Sequence, residues 1–281
     1  MSVPVREVLV RYRSQFETTV ETVRRRMQDV GEDARKSVEQ VQVQVQQLQP
    51  RLQHSAAQLG AALQDVSPVN ATPANMRLLF ETYLWSSICL FCLSVAQLLS
   101  RYLLTHLFAL VFSTWLSLLL AHLLLPMHVW FVVRKRRDKL AQDQRRMLLL
   151  LLAVAEGLLS GHHLSNYQMP IIPPPDFIVP LLIGFACMFV SANLAGHRRL
   201  FVAVVAGTAV LVYLLLGLLL GQLRLKYLLC TLFLGAATAI NLQLTVSRMH
   251  QGNVDPNINQ LVTITVSGTM QSLIATFASR K

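Results

Sequence analysis

Charge is scarce in this chain, and acidic charge most of all. Of 281 residues, 14 are Asp or Glu against 25 Lys or Arg, and charged residues make up only 14%. A soluble domain carries about 25%, so an ordinary water-facing surface is excluded. Hydrophobic residues reach 53% and mean hydropathy is +0.47, the composition of an integral membrane protein. Cysteine is also sparse: Cys89, Cys92, Cys187 and Cys230 all lie inside apolar runs. That excludes a disulfide framework, and the C-x-x-C at 89–92 lacks the accessible thiolate of a redox motif. No hydrolase triad, phosphate loop or dinucleotide fingerprint occurs, so neither enzymatic activity nor a cofactor is expected. His162 and His163 are adjacent and do not share a helix face, which makes them poor metal ligands.

The net charge of +11 raises the question of nucleic acid, but its distribution excludes it. From Met1 to Met76 nine basic residues meet eight acidic ones. The excess falls in short loops between apolar runs, where positive charge sets membrane topology. The first long apolar run begins near Leu78, too late for a cleavable signal peptide. Arg6, Arg11 and Arg13 hint at a mitochondrial presequence; Glu7, Glu17 and Glu21 oppose it.

What is present begins with a long amphipathic pattern. Apolar residues recur from Val5 through Val8, Tyr12, Phe16, Val20, Val23, Met27 and Val30, and on to Leu59, Leu63 and Val66. The steps alternate three and four, the period of an α-helix, with Gly31 and Pro50 as breaks. VQVQVQQ (41–47) alternates like a strand, but the helical period on both sides outvotes it. Residues 1–67 thus read as a helical arm that either packs as a coiled coil, with itself or a protein partner, or lies on a membrane surface. Its balanced polar face favours protein packing through residues 5–66.

Residues 68–281 read as a membrane domain. Seven spans are expected: Leu78–Leu99, Leu103–Leu125, Met147–Leu164, Phe177–Leu194, Leu200–Gly221, Tyr227–Val246 and Gln260–Ala278, each near the ~20 residues a bilayer requires. The last is rich in Thr and Ser, and either crosses within the bundle or re-enters. The basic loops RKRRDKLAQDQRR (134–146), GHRR (196–199) and SRMHQGN (247–253) share one side with the arm. The positive-inside rule makes that side cytosolic. A sequon, Asn70-Ala71-Thr72, would invert this topology if it carried a glycan.

Polar residues inside apolar runs are the candidate functional groups, because hydrocarbon makes an unpaired one costly. Asn241 and Gln243 either join helices or line a path for an ion or small polar solute. Glu156 is the one acid well inside an apolar run, in AVAEGLLSG, with Gly157 and Gly161 forming a face for close helix approach. Asp176, in IIPPPDFIVP (171–180), stands at the mouth of the fourth span.

Four segments in order resemble the Bax inhibitor family: TPANMRLLFETY (72–83), RRMLLLLLAVAEGLLSG (145–161), ANLAGHRRLFVAVVAG (192–207) and AINLQLTVSRMHQGNVD (239–255). The resemblance covers the chain from about Ser67 onward, leaving out the arm. It implies a seven-helix bundle of the endoplasmic reticulum, associated with calcium leak and restraint of cell death. The family's pH latch pairs acids in its sixth and seventh spans. Here Asn241 stands at the first position and Val262 and Val266 at the second, so the latch would be missing.

The sequence therefore leads to an all-α polytopic bundle of about seven transmembrane helices with an N-terminal amphipathic, coiled-coil arm. The expected function is a cell-death and calcium modulator, an ion leak running past Asn241, Gln243, Glu156 and Asp176. The alternative is a non-conducting scaffold acting through its arm. The expected partners are the lipid bilayer, calcium, and a protein or second copy on the arm. The expected location is the endoplasmic reticulum, with Golgi and mitochondrial inner membrane as alternatives and the N-terminus in the cytosol.

Overall fold

A computed structural model describes residues 50, 53–54, 56–135, 140–167, 175–221, 223, 225–250 and 255–278. The arm's helical period therefore lies almost wholly outside the described residues. Contacts divide the chain into a unit from Met1 to Ala61 and a larger one from Ala62 to Lys281.

Every regular element among the described residues is helical. Helix α1 runs Pro73–Leu99 and continues through a π-helical turn, Ser100–Leu104, into α2, Thr105–Val111. Helix α3, Thr114–Leu119, passes through a second π turn, Leu120–Leu124, into α4, Leu125–Lys135. Then follow α5 (Gln142–Leu164), α6 (Ile178–Leu194), α7 (Arg198–Leu219), α8 (Leu225–His250) and α9 (Pro256–Ala278). Among the described residues, five stretches are long and apolar enough to cross a membrane: Pro73–Val111, Thr114–Lys135, Gln142–Leu164, Arg198–Leu219 and Tyr227–Met249. Helix α6 has 17 residues, and α9 has 23 but carries too many polar side chains to count by composition.

The first boundary differs from the expectation. The polar pair Ser100-Arg101 does not end the first span; the helix runs on to Val111. The break falls at Phe112, which turns extended (φ −122°, ψ 130°). Ser113 then caps the next helix by accepting from Leu116 N at 3.3 Å, as a Ser before a helix does. A single span Leu103–Leu125 does not exist. At the start of α1, Thr72 caps Asn75 N and Pro73 occupies the first turn.

Helix α1 lies between two apolar cores. On one side Leu79 and Tyr83 pack with Ile183, Phe201, Val205, Tyr213 and Leu242. On the other, Leu90 and Leu93 pack with Val129, Leu149, Leu152 and Ile264. The glycines of α5 set the closest approach. A Cβ on Gly157 would lie 2.5 Å from Leu93 O, and one on Gly161 would lie 2.5 Å from Gln97 O. The four-residue spacing thus lets two backbones touch.

Candidate functional site

The buried polar residues gather on α9. Its apolar fraction is low because one face after another carries an amide or hydroxyl: Asn257, Asn259, Gln260, Thr263, Ser267, Gln271 and Ser272 are all buried. Residues four apart line up on a helix, so 263, 267 and 271 form one stripe and 268, 272 and 276 the next.

Three of the four residues singled out by sequence meet these stripes, each at its own height. Asn241 donates to Thr263 Oγ1 at 2.9 Å and to Asn259 O at 3.5 Å. Asp176 sits at the middle: Ser267 Oγ donates to Oδ2 at 3.0 Å, Gln271 Nε2 donates to the same oxygen, and Tyr213 Oη donates to Oδ1. Tyr227 Oη in turn donates to Tyr213 O at 2.6 Å, with the two rings stacked 5.0 Å apart. A fully buried carboxylate needs such a set of donors, and helices α7 and α9 supply it together.

Glu156 meets the second stripe through His122. His122 Nδ1 lies 3.0 Å from Glu156 Oε1, and His122 Nε2 lies 2.8 Å from Ser272 Oγ. The other oxygen, Glu156 Oε2, has no partner among the described residues. Gly268 makes the room, since a Cβ there would sit 2.3 Å from Glu156 Oε1. Sequence reading missed His122: alone in the run LLLAHLLLP, it carried no motif, and only the π turn around it shows that its placement is special.

Gln243 does not join this group. It holds the chain entering the bundle, donating to Asp65 O at 2.8 Å and to Ala62 O and Leu63 O at 3.4 and 3.3 Å. Its Oε1 accepts from Arg198 Nε at 3.2 Å. Arg198, read from sequence as a topogenic loop charge, is in fact buried. Its Nη1 donates to Asp65 Oδ2 at 2.6 Å and its Nη2 to Gln243 O at 2.8 Å. Ser67 Oγ and N donate to Asp65 Oδ1, and Ser247 Oγ to Oδ2. These donors, those of Ser67 foremost, hold the Asp65 carboxyl below its ordinary pKa against the opposing effect of burial. Among the described residues no three His, Cys, Asp or Glu side chains converge as metal ligands.

A family model described as Interactor of ZYG-11 matches residues 4–277. The chain belongs to that family. The match replaces the Bax inhibitor resemblance and, with it, the reading as a Bax-inhibitor-like cell-death and calcium modulator; short apolar segments with Gly and basic residues in a similar order recur wherever helices pack in a bilayer. It also includes the arm, which the resemblance had left out. No curated protein and no solved structure matches the chain. The family's description speaks of interaction with a protein.

Proposed function

We propose that this protein is a multi-pass membrane scaffold that engages a protein partner through its N-terminal arm, without enzymatic or conducting activity. The observation that carries the reading is the extent of the family match, which joins the arm and the apolar helices in one family whose description is of interaction with ZYG-11. Five helices have the length and apolarity to cross a bilayer; α6 and α9 supply two further crossings in this reading, making seven. Helix α9 enters as a polar helix screened by its neighbours, since its amides and hydroxyls are buried.

The basic end of the bundle supports the orientation. Arg134 lies over the Trp130 ring at 5.1 Å, Lys135 over Phe131 at 5.2 Å and Arg146 over Trp85 at 4.9 Å. Aromatic rings and basic residues concentrate at membrane interfaces, and Lys and Arg on the cytosolic side. In this reading the arm and the basic loops face the cytosol from an intracellular membrane, most simply the endoplasmic reticulum.

The test is co-precipitation from detergent-solubilised membranes with a ZYG-11 protein as bait, using the full chain and a chain lacking residues 1–61. Capture of the full chain alone supports the arm as the docking element. Equal capture of both moves the contact to the bundle. Release of the full chain from membranes by alkaline carbonate would overturn the membrane reading itself.

A further inference from the structure

The Glu156 position is built by three independent features. The π turn at Leu120–Leu124 aims His122 inward from a segment whose Leu123 and Leu124 are exposed. Gly268 leaves the space that Glu156 Oε1 fills, with His122 Cε1 3.4 Å from where its Cβ would be. Ser272, one turn further along α9, takes the second ring nitrogen. Apolar packing requires none of these. Yet Glu156 Oε2, in a side chain with no exposure, is left without a donor. A buried acceptor in that condition is costly, and the cost vanishes when the oxygen carries a proton or meets water.

Along α5, polar atoms continue from Glu156 toward the end of the helix. His163 lies two turns beyond Glu156 on α5, its Nε2 3.1 Å from Thr276 Oγ1, and Thr276 lies one turn beyond Ser272. Both ring nitrogens of His162 also lack partners among the described residues. Asn166, just past the end of α5, is exposed. In the other direction Ala153, Leu152 and Leu149 close the helix face with apolar side chains.

We propose that Glu156 and His122 form a proton-binding site, reached by water from the end of the bundle where α5 finishes, with His163 at its entrance. The pair holds one proton between Glu156 Oε1 and His122 Nδ1 and is neutral as a unit. A second proton, delivered by a hydronium ion that departs as water, binds at Glu156 Oε2 and leaves a carboxylic acid beside an imidazolium. Among the described residues the titratable groups around the pair are His162 and His163 of α5. Helix α9 brings Ser272 and Thr276, and α1 brings Gln97 with Ser100 beyond it, none of them charged. With no triad of metal-ligating side chains among the described residues, the ligand that fits is a proton.

Infrared difference spectroscopy on the purified full chain in nanodiscs, recorded across pH in H2O and D2O, tests this. A protonated-carboxyl band that grows as pH falls, shifts in D2O and disappears in Glu156→Gln is the expected result. Glutamate labelled with carbon-13 separates the band from that of buried Asp176, and the response to His122→Gln, whose ring touches Glu156, assigns it even if Glu156→Gln does not fold. His122→Gln then shifts its midpoint, and His163→Leu slows the D2O shift. A band that survives Glu156→Gln, does not respond to D2O, or keeps its midpoint in His122→Gln overturns the proposal. So does the absence of a glutamate band that responds to His122→Gln.

Discussion

Arg198 donates from Nη1 to Asp65 Oδ2 at 2.6 Å across 133 residues of chain, and its own side chain has no exposure. A buried guanidinium needs its acceptors near; here Asp65 and Gln243 provide them. The segment after Ala61 is thereby tied to the starts of α7 and the end half of α8.

Breaking this tie destabilises the bundle. Asp65→Ala leaves Arg198 with the two Gln243 acceptors and the longer contact to Ser67 Oγ at 3.3 Å. The expected cost is about 3 kcal/mol, at the low end for a broken buried pair, because Asp65 keeps 29% of its side chain exposed. Thermal unfolding in detergent measures it. A melting temperature equal to that of the native chain would mean that Arg198 finds water instead.

The same carboxylate sets an acid dependence. Its folded pKa lies below the ordinary 3.8, so its contribution is fully present above that value and is lost as pH falls through it toward the folded pKa. Melting temperature should therefore be insensitive to this group at neutral pH and decline below about pH 4. Asp65→Asn should flatten that decline.

Helix contact at the glycines can be tested by contrast. Gly161→Ala places a Cβ 2.5 Å from Gln97 O and 2.9 Å from Ser100 Cβ, and should cost about 1–3 kcal/mol by overpacking. Gly207, within α7, has nothing within 4 Å of a Cβ. Gly207→Ala should be neutral or stabilising by up to about 1 kcal/mol. Unfolding curves of the two variants should move in opposite directions or, at the least, differ clearly.

Tyr213→Phe removes the donor to Asp176 Oδ1 while keeping the ring stacked on Tyr227. Losing a partner to a buried carboxylate should cost about 1–3 kcal/mol. Ser267→Ala removes a donor from the other oxygen, where Gln271 remains, and should cost less. The reverse order in a denaturation series would overturn this ranking of the two donors.

How far the sequence carries can be read from particular residues. Apolar runs of about 20 residues locate most of the helices, because a run of that length is too long for a buried strand. Ser113 was passed over as a helix boundary since its neighbours are as apolar as a helix interior, whereas Arg101 looked like one and is not. Glu156, Asp176 and Asn241 stand out as polar groups in apolar surroundings, but their partners come from helices far along the chain. A lone histidine such as His122 gives no periodic signal. Arg198 and Arg199 look alike in sequence; only packing separates the buried one from the exposed one.

Each π turn inserts one residue into its helix, and one residue is worth about 100° of rotation. The faces of α1 and α2, and of α3 and α4, are therefore out of phase with each other. Counting in threes and fours from Leu79 does not find the exposed side of Leu107, nor does counting from Ser117 find that of Trp130. Deleting one residue between 100 and 104 would keep the helix and almost all of its length. It would nonetheless turn everything beyond by more than a quarter of a circle, carrying Phe108 away from the His162 ring it stacks against.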